Sequence, residues 1–375
     1  MLNDKTTLKD LSVFSTENNN SIFGLIDHTT TQAGKDMLRQ HILKPPASFE
    51  KLLQMQAVIK FWIANTDKWP SIISNGTLVM LEKFFESADT VTAPPTGLVK
   101  VLNTYFQKLL YRNDYFNTQF SLSHLADLLK GSIELTKILA QDDIPELLRH
   151  ELESIAQELQ HRLVNDIIKL DKQSSYVELS TLSFRARREM KSIVARLMQH
   201  YARLDAWHAM GTATAIHNWS FPELLPAKPV CIEATAIYHP LLEHPVSYDI
   251  QFNANKNFLL LTGANMSGKT TFMRALGVAA LLAHLGLGVP ARSLRISFIG
   301  GIITSMQVED DLLKGESYFF AEVQRMKLTA QKLLQSEPHL VLMDELFKGT
   351  NVHDAIINLY IFFKRSSTPS FCKMR

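Results

Sequence analysis

The run Gly263-Ala264-Asn265-Met266-Ser267-Gly268-Lys269-Thr270 fits G-x-x-x-x-G-K-[ST], a pattern in which backbone amides wrap nucleotide phosphates. An apolar stretch, Asn257-Phe258-Leu259-Leu260-Leu261-Thr262, precedes it, and a helical pattern opens at Thr271. Strand, loop and helix in that order are the context the pattern requires. Gly263 and Gly268 let the loop wrap without Cβ clashes, so successive N–H groups can point at phosphate oxygens. The following helix adds the positive end of its dipole. Lys269 would place a compact charge on the β- and γ-phosphates, and the Thr270 hydroxyl would ligate Mg²⁺. The plain alternative is a turn that happens to carry a lysine. Four fixed positions match by chance in roughly one chain of this length in a hundred.

A phosphate loop needs a carboxylate across the site. Leu340-Val341-Leu342-Met343-Asp344-Glu345 offers a buried strand ending in two acids. Asp344 would hold Mg²⁺ through its water shell, and Glu345 would orient and deprotonate the attacking water. The competing reading is a strand that meets an acidic surface turn. Between the two motifs, Gly315-Glu316-Ser317-Tyr318-Phe319-Phe320 opens a helix running through Val323, Met326 and Ala330. Ser317 there is either an ordinary N-cap or a donor to a γ-phosphate.

These motifs need elements to hold them. A chain of 375 residues is long enough for two or three domains. Its 46% hydrophobic and 20% charged residues suit a soluble protein with a sizeable core, and a net charge of +2 neither requires nor excludes nucleic acid. Cys231 and Cys372 are far apart and lack metal-ligand spacing, so a reducing cytoplasm is expected rather than a disulfide scaffold. Met1 to Asn20 is polar, without the apolar core of a secretory signal. The stretch from Ala275 to Pro290 is apolar but too short to span a bilayer, and reads as the buried helix after the loop.

From Ser21 to Asn218 the pattern is helical almost throughout. Leu122, Leu125, Leu128, Leu129, Leu135 and Leu139 recur at helical spacing, and Ser48 is a candidate N-cap. One long helix is expected from Phe184 to Ala209. Composition changes at Trp219, after which strand-like and helix-like stretches alternate. The expected division is a polar tail over 1–20, a helical domain over 21–215 and an α/β domain over 216–375.

Together these residues resemble the MutS family of DNA mismatch-repair ATPases. The resemblance is carried by TGANMSGKTTFMRALG at 262–277, EDDLLKGESYFFAEVQRM at 309–326 and LVLMDELFKGTNVHDA at 340–355. Upstream, SIFGLIDHTTTQAGKDMLRQHILKP at 21–45 and LDAWHAM at 204–210 are similar to the start and end of the family's core and lever region, and IYHPLL at 237–242 to its short His-Pro motif. The resemblance implies a helical core and lever domain followed by an ABC-type P-loop ATPase domain. It implies ATP and Mg²⁺ as cofactors, with Lys269, Thr270, Asp344 and Glu345 in the roles above. It also implies that Ser317 acts in trans in a homodimer, that an aromatic stacks on adenine, and that mismatched or branched duplex DNA is the partner. Tyr248 is the candidate aromatic; a packed core tyrosine is its other reading.

Departures from the family pattern shape the remaining expectations. The chain enters the core almost at once, without a mismatch-reading domain ahead of it, and the helical region looks short for a full DNA clamp. After Asp354 the family would continue to a strand ending in a phosphate-sensing histidine and then a dimerising tail. Here the sequence runs to KRSSTPSFCKMR, read as a truncated or frameshifted end that neither completes a sheet nor offers a dimer surface. Arg185, Arg187, Arg188, Lys191 and Arg196 would share one helix, either as a DNA-phosphate contact or as a solvated face. The leading reading is an ATP-hydrolysing protein that clamps DNA; the alternative is a nucleotide-binding module without productive turnover. A guanine-specific GTPase finds no Asn-Lys-x-Asp reader downstream of the loop, and no acceptor-binding kinase lid is evident.

Overall fold

Polar caps start the first helices. Asp4 accepts the Thr7 amide at 2.9 Å at the head of α1 (Lys5–Asp10), and Ser21 accepts the Gly24 amide at 3.1 Å before α2 (Ile22–Ile26). The computed structural model describes residues 4–14, 20–86, 112–170, 174–264, 266–306, 318–333, 337–344 and 371–374. They form two compact units: Met1–His28 with Arg39–Ile59 and Met210–Arg375, and Thr29–Leu38 with Lys60–Ala209. The units are not contiguous in sequence: α3 (Gln32–Leu43) and α4 (Phe49–Ala64) each give residues to both. Nor are the described opening residues a free polar tail. Leu11 and Val13 are fully buried and α1 packs on a strand of the same unit, since these apolar residues outweigh their polar neighbours.

The unit containing Lys60–Ala209 is helical. Its elements include α5 (Asn75–Glu86), α6 (Arg112–Thr136), α7 (Glu146–Glu158), α8 (Leu163–Ile168), α9 (Tyr176–Glu189) and most of α10 (Lys191–Ile216). The leucine stripe of α6 forms the core, with Leu122, Leu125, Leu128, Leu129 and Leu135 wholly buried. Past Thr136 the chain tightens into a 3₁₀ turn, Lys137–Ala140, so Ile138 takes the buried place and Leu139 is only half-buried.

The single helix expected from Phe184 to Ala209 is instead α9 and α10, interrupted at Met190. The Met190 side chain stays fully buried through the break. The apolar pattern is therefore unaltered, which is why periodicity does not reveal the interruption.

A buried acid ties the ends of this unit together. Asp205, with no exposed surface, accepts the Thr30 and Thr31 amides, each at 2.9 Å, and their hydroxyls at 3.1 and 2.7 Å. A Cβ at Gly34 would lie 2.1 Å from Asp205 Oδ2, so only glycine allows the carboxylate this close.

The other unit carries two sheets. In the first, β1 (Glu223–Leu225) runs parallel to β5 (Ser293–Ser297), while β2 (Cys231–Ile237) is antiparallel to both β5 and β3 (Tyr248–Asn253), in the order β1-β5-β2-β3. The second is wholly parallel, ordered β4-β8-β7-β6, with β4 (Phe258–Leu259), β6 (Gly301–Ser305), β7 (His339–Met343) and β8 (Phe371–Met374). Every residue of β6 and β7 is buried, as expected of parallel strands covered on both faces. Helix α11 (Lys269–Leu285) is buried from Ala275 onward, and α12 (Tyr318–Leu333) follows β6 in the chain. Among the described residues no helix is long and apolar enough to cross a membrane.

Two sequence expectations change here. The run Asn257–Thr262 makes only a two-residue strand, with Phe258 and Leu260 exposed, because among the described residues β4 is an edge strand paired with β8. The C-terminal residues, expected to complete no sheet, form β8 between β4 and β7, with Phe258 opposite Lys373 and His339 opposite Phe371. A strand of four residues suffices once neighbours on both sides supply the hydrogen bonds.

Candidate functional site

The glycine loop leaves β4 and ends at Gly268, which caps α11 with φ +92°, a conformation glycine adopts at little cost. A Cβ there would also lie 3.2 Å from Tyr248 Oη. The Ser267 amide donates to Ala264 O at 3.3 Å, and the Phe272 amide to Gly268 O at 2.9 Å, starting the helical ladder. Met266, also at positive φ, projects wholly into solvent. Lys269 Nζ donates to Gly263 O and Ala264 O, each at 2.8 Å, so the ammonium is held over its own loop with one donor to spare.

Across from the loop, β7 ends at Asp344. Its amide donates to Ser305 O at 2.9 Å, continuing the β6–β7 register in which Ser305 lies opposite Met343. Its carboxylate oxygen Oδ2 accepts the Thr270 hydroxyl in a short hydrogen bond. The two expected metal-site residues are thus in direct contact, and both are half-buried.

ATP and Mg²⁺ are the groups this loop composition implies, and the residues present fit them. A Cβ-free turn, a helix start, an ammonium and a hydroxyl–carboxylate pair of hard oxygens meet at one end of the parallel sheet. Gly263, Ala264, Ser267, Gly268 and Lys269 line the turn, and Thr271 begins the first turn of α11 behind it. The Tyr248 ring sits edge-on to Phe272, with centroids 5.1 Å apart, and its hydroxyl faces Gly268. Asn265, Ser317 and Glu345 lie outside the described residues.

The basic residues of the helical unit do not form one face of one helix, since α9 and α10 divide them. Arg185 pairs with Glu189 at 3.3 Å, and Arg196 holds Glu158 with two contacts of 2.5 and 2.8 Å. The Arg187 guanidinium stacks over Phe84 at 4.1 Å, and burial pulls its pKa down. Arg188 lies over Phe184 at 5.4 Å and is exposed, as is Lys191.

Residues that sequence reasoning missed brace the strand end beside Asp344. Asp10 Oδ2 accepts the Thr304 hydroxyl at 2.6 Å and the Met306 amide at 3.0 Å. Arg325 of α12 donates to Thr304 O at 2.8 Å and pairs with Asp4 at 2.7 Å, while Lys332 reaches Asp4 at 2.9 Å. Burial pushes the Asp4 carboxyl up, but Arg325, the Thr7 amide and Lys332 together hold it well below the usual carboxylate range. Because these partners are distant in sequence, no local spacing could have shown them.

Models of two parts of one family match the chain: MutS domain III over residues 6–218 and MutS domain V over residues 259–362. The fold and site thus define a multidomain helical and α/β protein built on MutS domains. The chain belongs to the MutS family.

Among its relatives, DNA mismatch repair protein MutS 1 of Haloarcula marismortui is 31% identical over 198 residues, covering 51% of this chain and 21% of that protein. Its namesake in Halobacterium salinarum is 34% identical over 186 residues, covering 48% and 21%. DNA mismatch repair protein MutS of Halalkalibacterium halodurans is 29% identical over 197 residues, covering 50% and 22%. The similarity therefore spans only about a fifth of the length of the curated relatives it matches.

Proposed function

We propose that this chain binds ATP with Mg²⁺ at the glycine loop and couples hydrolysis to its hold on mismatched or branched duplex DNA. One observation carries the reading: the Thr270 hydroxyl meets the Asp344 carboxylate where the loop opens α11. Family membership and its relatives, named DNA mismatch repair proteins, support the DNA partner.

In this reading the loop amides and the α11 N-terminus orient the phosphates, and Lys269 releases Gly263 O and Ala264 O to bind the β- and γ-phosphate oxygens. Thr270 and Asp344 hold the metal, which when bound neutralises charge between the phosphates. Glu345 takes the proton of the attacking water, and Tyr248 lies against the base. Ser317 completes the site of a second copy, so that ATP closes a cytoplasmic homodimer on DNA and hydrolysis reopens it.

ATP binding and steady-state hydrolysis, measured on one sample with and without homoduplex, mismatched and junction DNA, test this. Lys269→Ala should weaken ATP binding by about a hundredfold or more, whereas Glu345→Gln should bind normally and not turn over. Undiminished turnover in Glu345→Gln would remove that residue from water activation. Binding without DNA-stimulated turnover in the unaltered chain would favour the module that merely holds nucleotide.

A further inference from the structure

Asp10 is almost fully buried yet takes no part in the chemistry assigned above. It sits at the end of α1 with Oδ2 turned to the carboxyl end of β6, where it accepts Thr304 Oγ1 and the Met306 amide. Thr7, one turn earlier, donates its hydroxyl to Ile302 O and accepts the Thr304 amide, each at 3.3 Å. Helix α1 therefore grips β6 on both sides of Thr304, and Arg325 takes the Thr304 carbonyl from α12. The residue between the two positions held by Asp10 is Ser305. Its carbonyl accepts the Asp344 amide, and Asp344 in turn accepts Thr270.

We propose that Asp10 is a positioning residue for Asp344: by fixing Thr304 and Met306 it sets the Ser305 carbonyl that aims the acid closing the magnesium site. This rests on the nucleotide reading of the glycine loop. A metal bound through one threonine hydroxyl and one carboxylate is sensitive to where the carboxylate's backbone lies, and partners behind a ligand commonly set metal affinity. Asp344 is the first residue past β7, so the strand's own ladder holds it from one side only. The bond to Ser305 O is the main-chain restraint on its amide, and Asp10, with Thr7 and Arg325, holds that carbonyl's strand end.

The test compares Asp10→Ala, Asp10→Asn and Thr304→Val in the full chain. Asp10→Ala should raise the magnesium concentration for half-maximal ATP turnover about tenfold, while Asp10→Asn, which keeps an acceptor oxygen, stays within about twofold of the unaltered chain. Metal-free ATP binding should be unchanged in both. In the nucleotide-free chain, amide hydrogen exchange at Met306 and Asp344 should quicken in Asp10→Ala while Leu340 and Val341 keep their protection.

An unchanged magnesium requirement in folded Asp10→Ala would overturn the proposal, as would an even loss of protection along β7. Should Asp10→Ala not fold, Thr304→Val removes one of the two donors and leaves the carboxylate, and the same two readouts decide. If the unaltered chain shows no magnesium-dependent ATP binding, the reading of the site fails, while the exchange measurement still decides whether Asp10 holds Asp344.

Discussion

Each unit of this chain contains an aspartate gripped by threonine, and the two are used differently. Asp205 has no exposed surface and accepts from four donors, the amides and hydroxyls of Thr30 and Thr31. Its acceptor capacity is largely filled, and burial raises its pKa despite those donors. Asp344 is half-buried and accepts the Thr270 hydroxyl, with the Lys269 loop beside it. A filled, dry carboxylate fastens chain segments. A partly open one with lone pairs to spare can hold a cation. Residue type does not separate these cases; saturation and exposure do.

The sharpest way to break that contrast is to delete each acid in turn. Asp205→Ala leaves the buried Thr31 amide and hydroxyl without their acceptor, with the Thr30 pair nearer solvent, and should cost about 3 kcal/mol of stability in chemical denaturation. The ATP affinity of the folded fraction should be unaltered. Asp344→Ala should do the reverse. Magnesium-dependent ATP turnover should fall a hundredfold or more, an effect on the order of several kcal/mol, while the denaturation midpoint barely moves. Equal losses of stability in the two variants would erase the distinction drawn here.

These two acids also mark what the sequence could and could not reveal. The Gly263–Thr270 loop was legible because its chemistry needs fixed local spacing, and Asp344 because a strand of apolar residues runs straight into it. The helical character of the stretch through Ala209 was legible from its periodicity. The Met190 break was not, because it leaves the buried set unchanged. Nor was β8, a strand too short to announce itself without its neighbours. Asp205 and Asp10 look alike on paper. Each acts through partners far away in the chain, and only folding brings those partners near. The arginines' partners were hidden for the same reason: charge is visible in sequence, but the carboxylate or ring that answers it is not.

Buried histidines sharpen the comparison at intermediate magnitude, because His284 lies in one unit and His208 in the other. His284 contacts Ala280 O through Nδ1 at 2.8 Å and accepts the Ile299 amide through Nε2 at 2.9 Å. His208 stacks on Trp69 with centroids 4.6 Å apart and meets Trp62 edge-on. Burial pulls both down to about 4 from an ordinary 6.5. Below 6.5 the unfolded chain takes up protons that the folded chain refuses. The stability each neutral ring secures is therefore complete above that pH and drains away as pH falls toward 4, by at most about 3 kcal/mol per histidine. Urea melts between pH 7.5 and 4 should show the decline. His284→Leu and His208→Leu should each flatten part of it. At pH 7.5 His284→Leu should be the costlier change, because it strands the Ile299 amide.

The smallest effect expected lies on the basic residues flanking Met190, and it separates charges already answered from charges still open. Arg196 is satisfied by Glu158 at an exposed site, so Arg196→Ala should change stability by less than about 1 kcal/mol and leave DNA affinity alone. Arg188 and Lys191 are exposed, on either side of the helix break, and among the described residues neither pairs with a carboxylate. If DNA phosphates lie along this part of the helical unit, these two cations release counterions when it binds. Arg188→Ala with Lys191→Ala should then lower the slope of log affinity against log salt by about 2, equally for homoduplex and mismatched DNA. Fluorescence anisotropy between 50 and 200 mM salt reads that slope directly. An unchanged slope would mean that the open charges here are solvated, like the paired ones, and that the DNA contact lies on another surface.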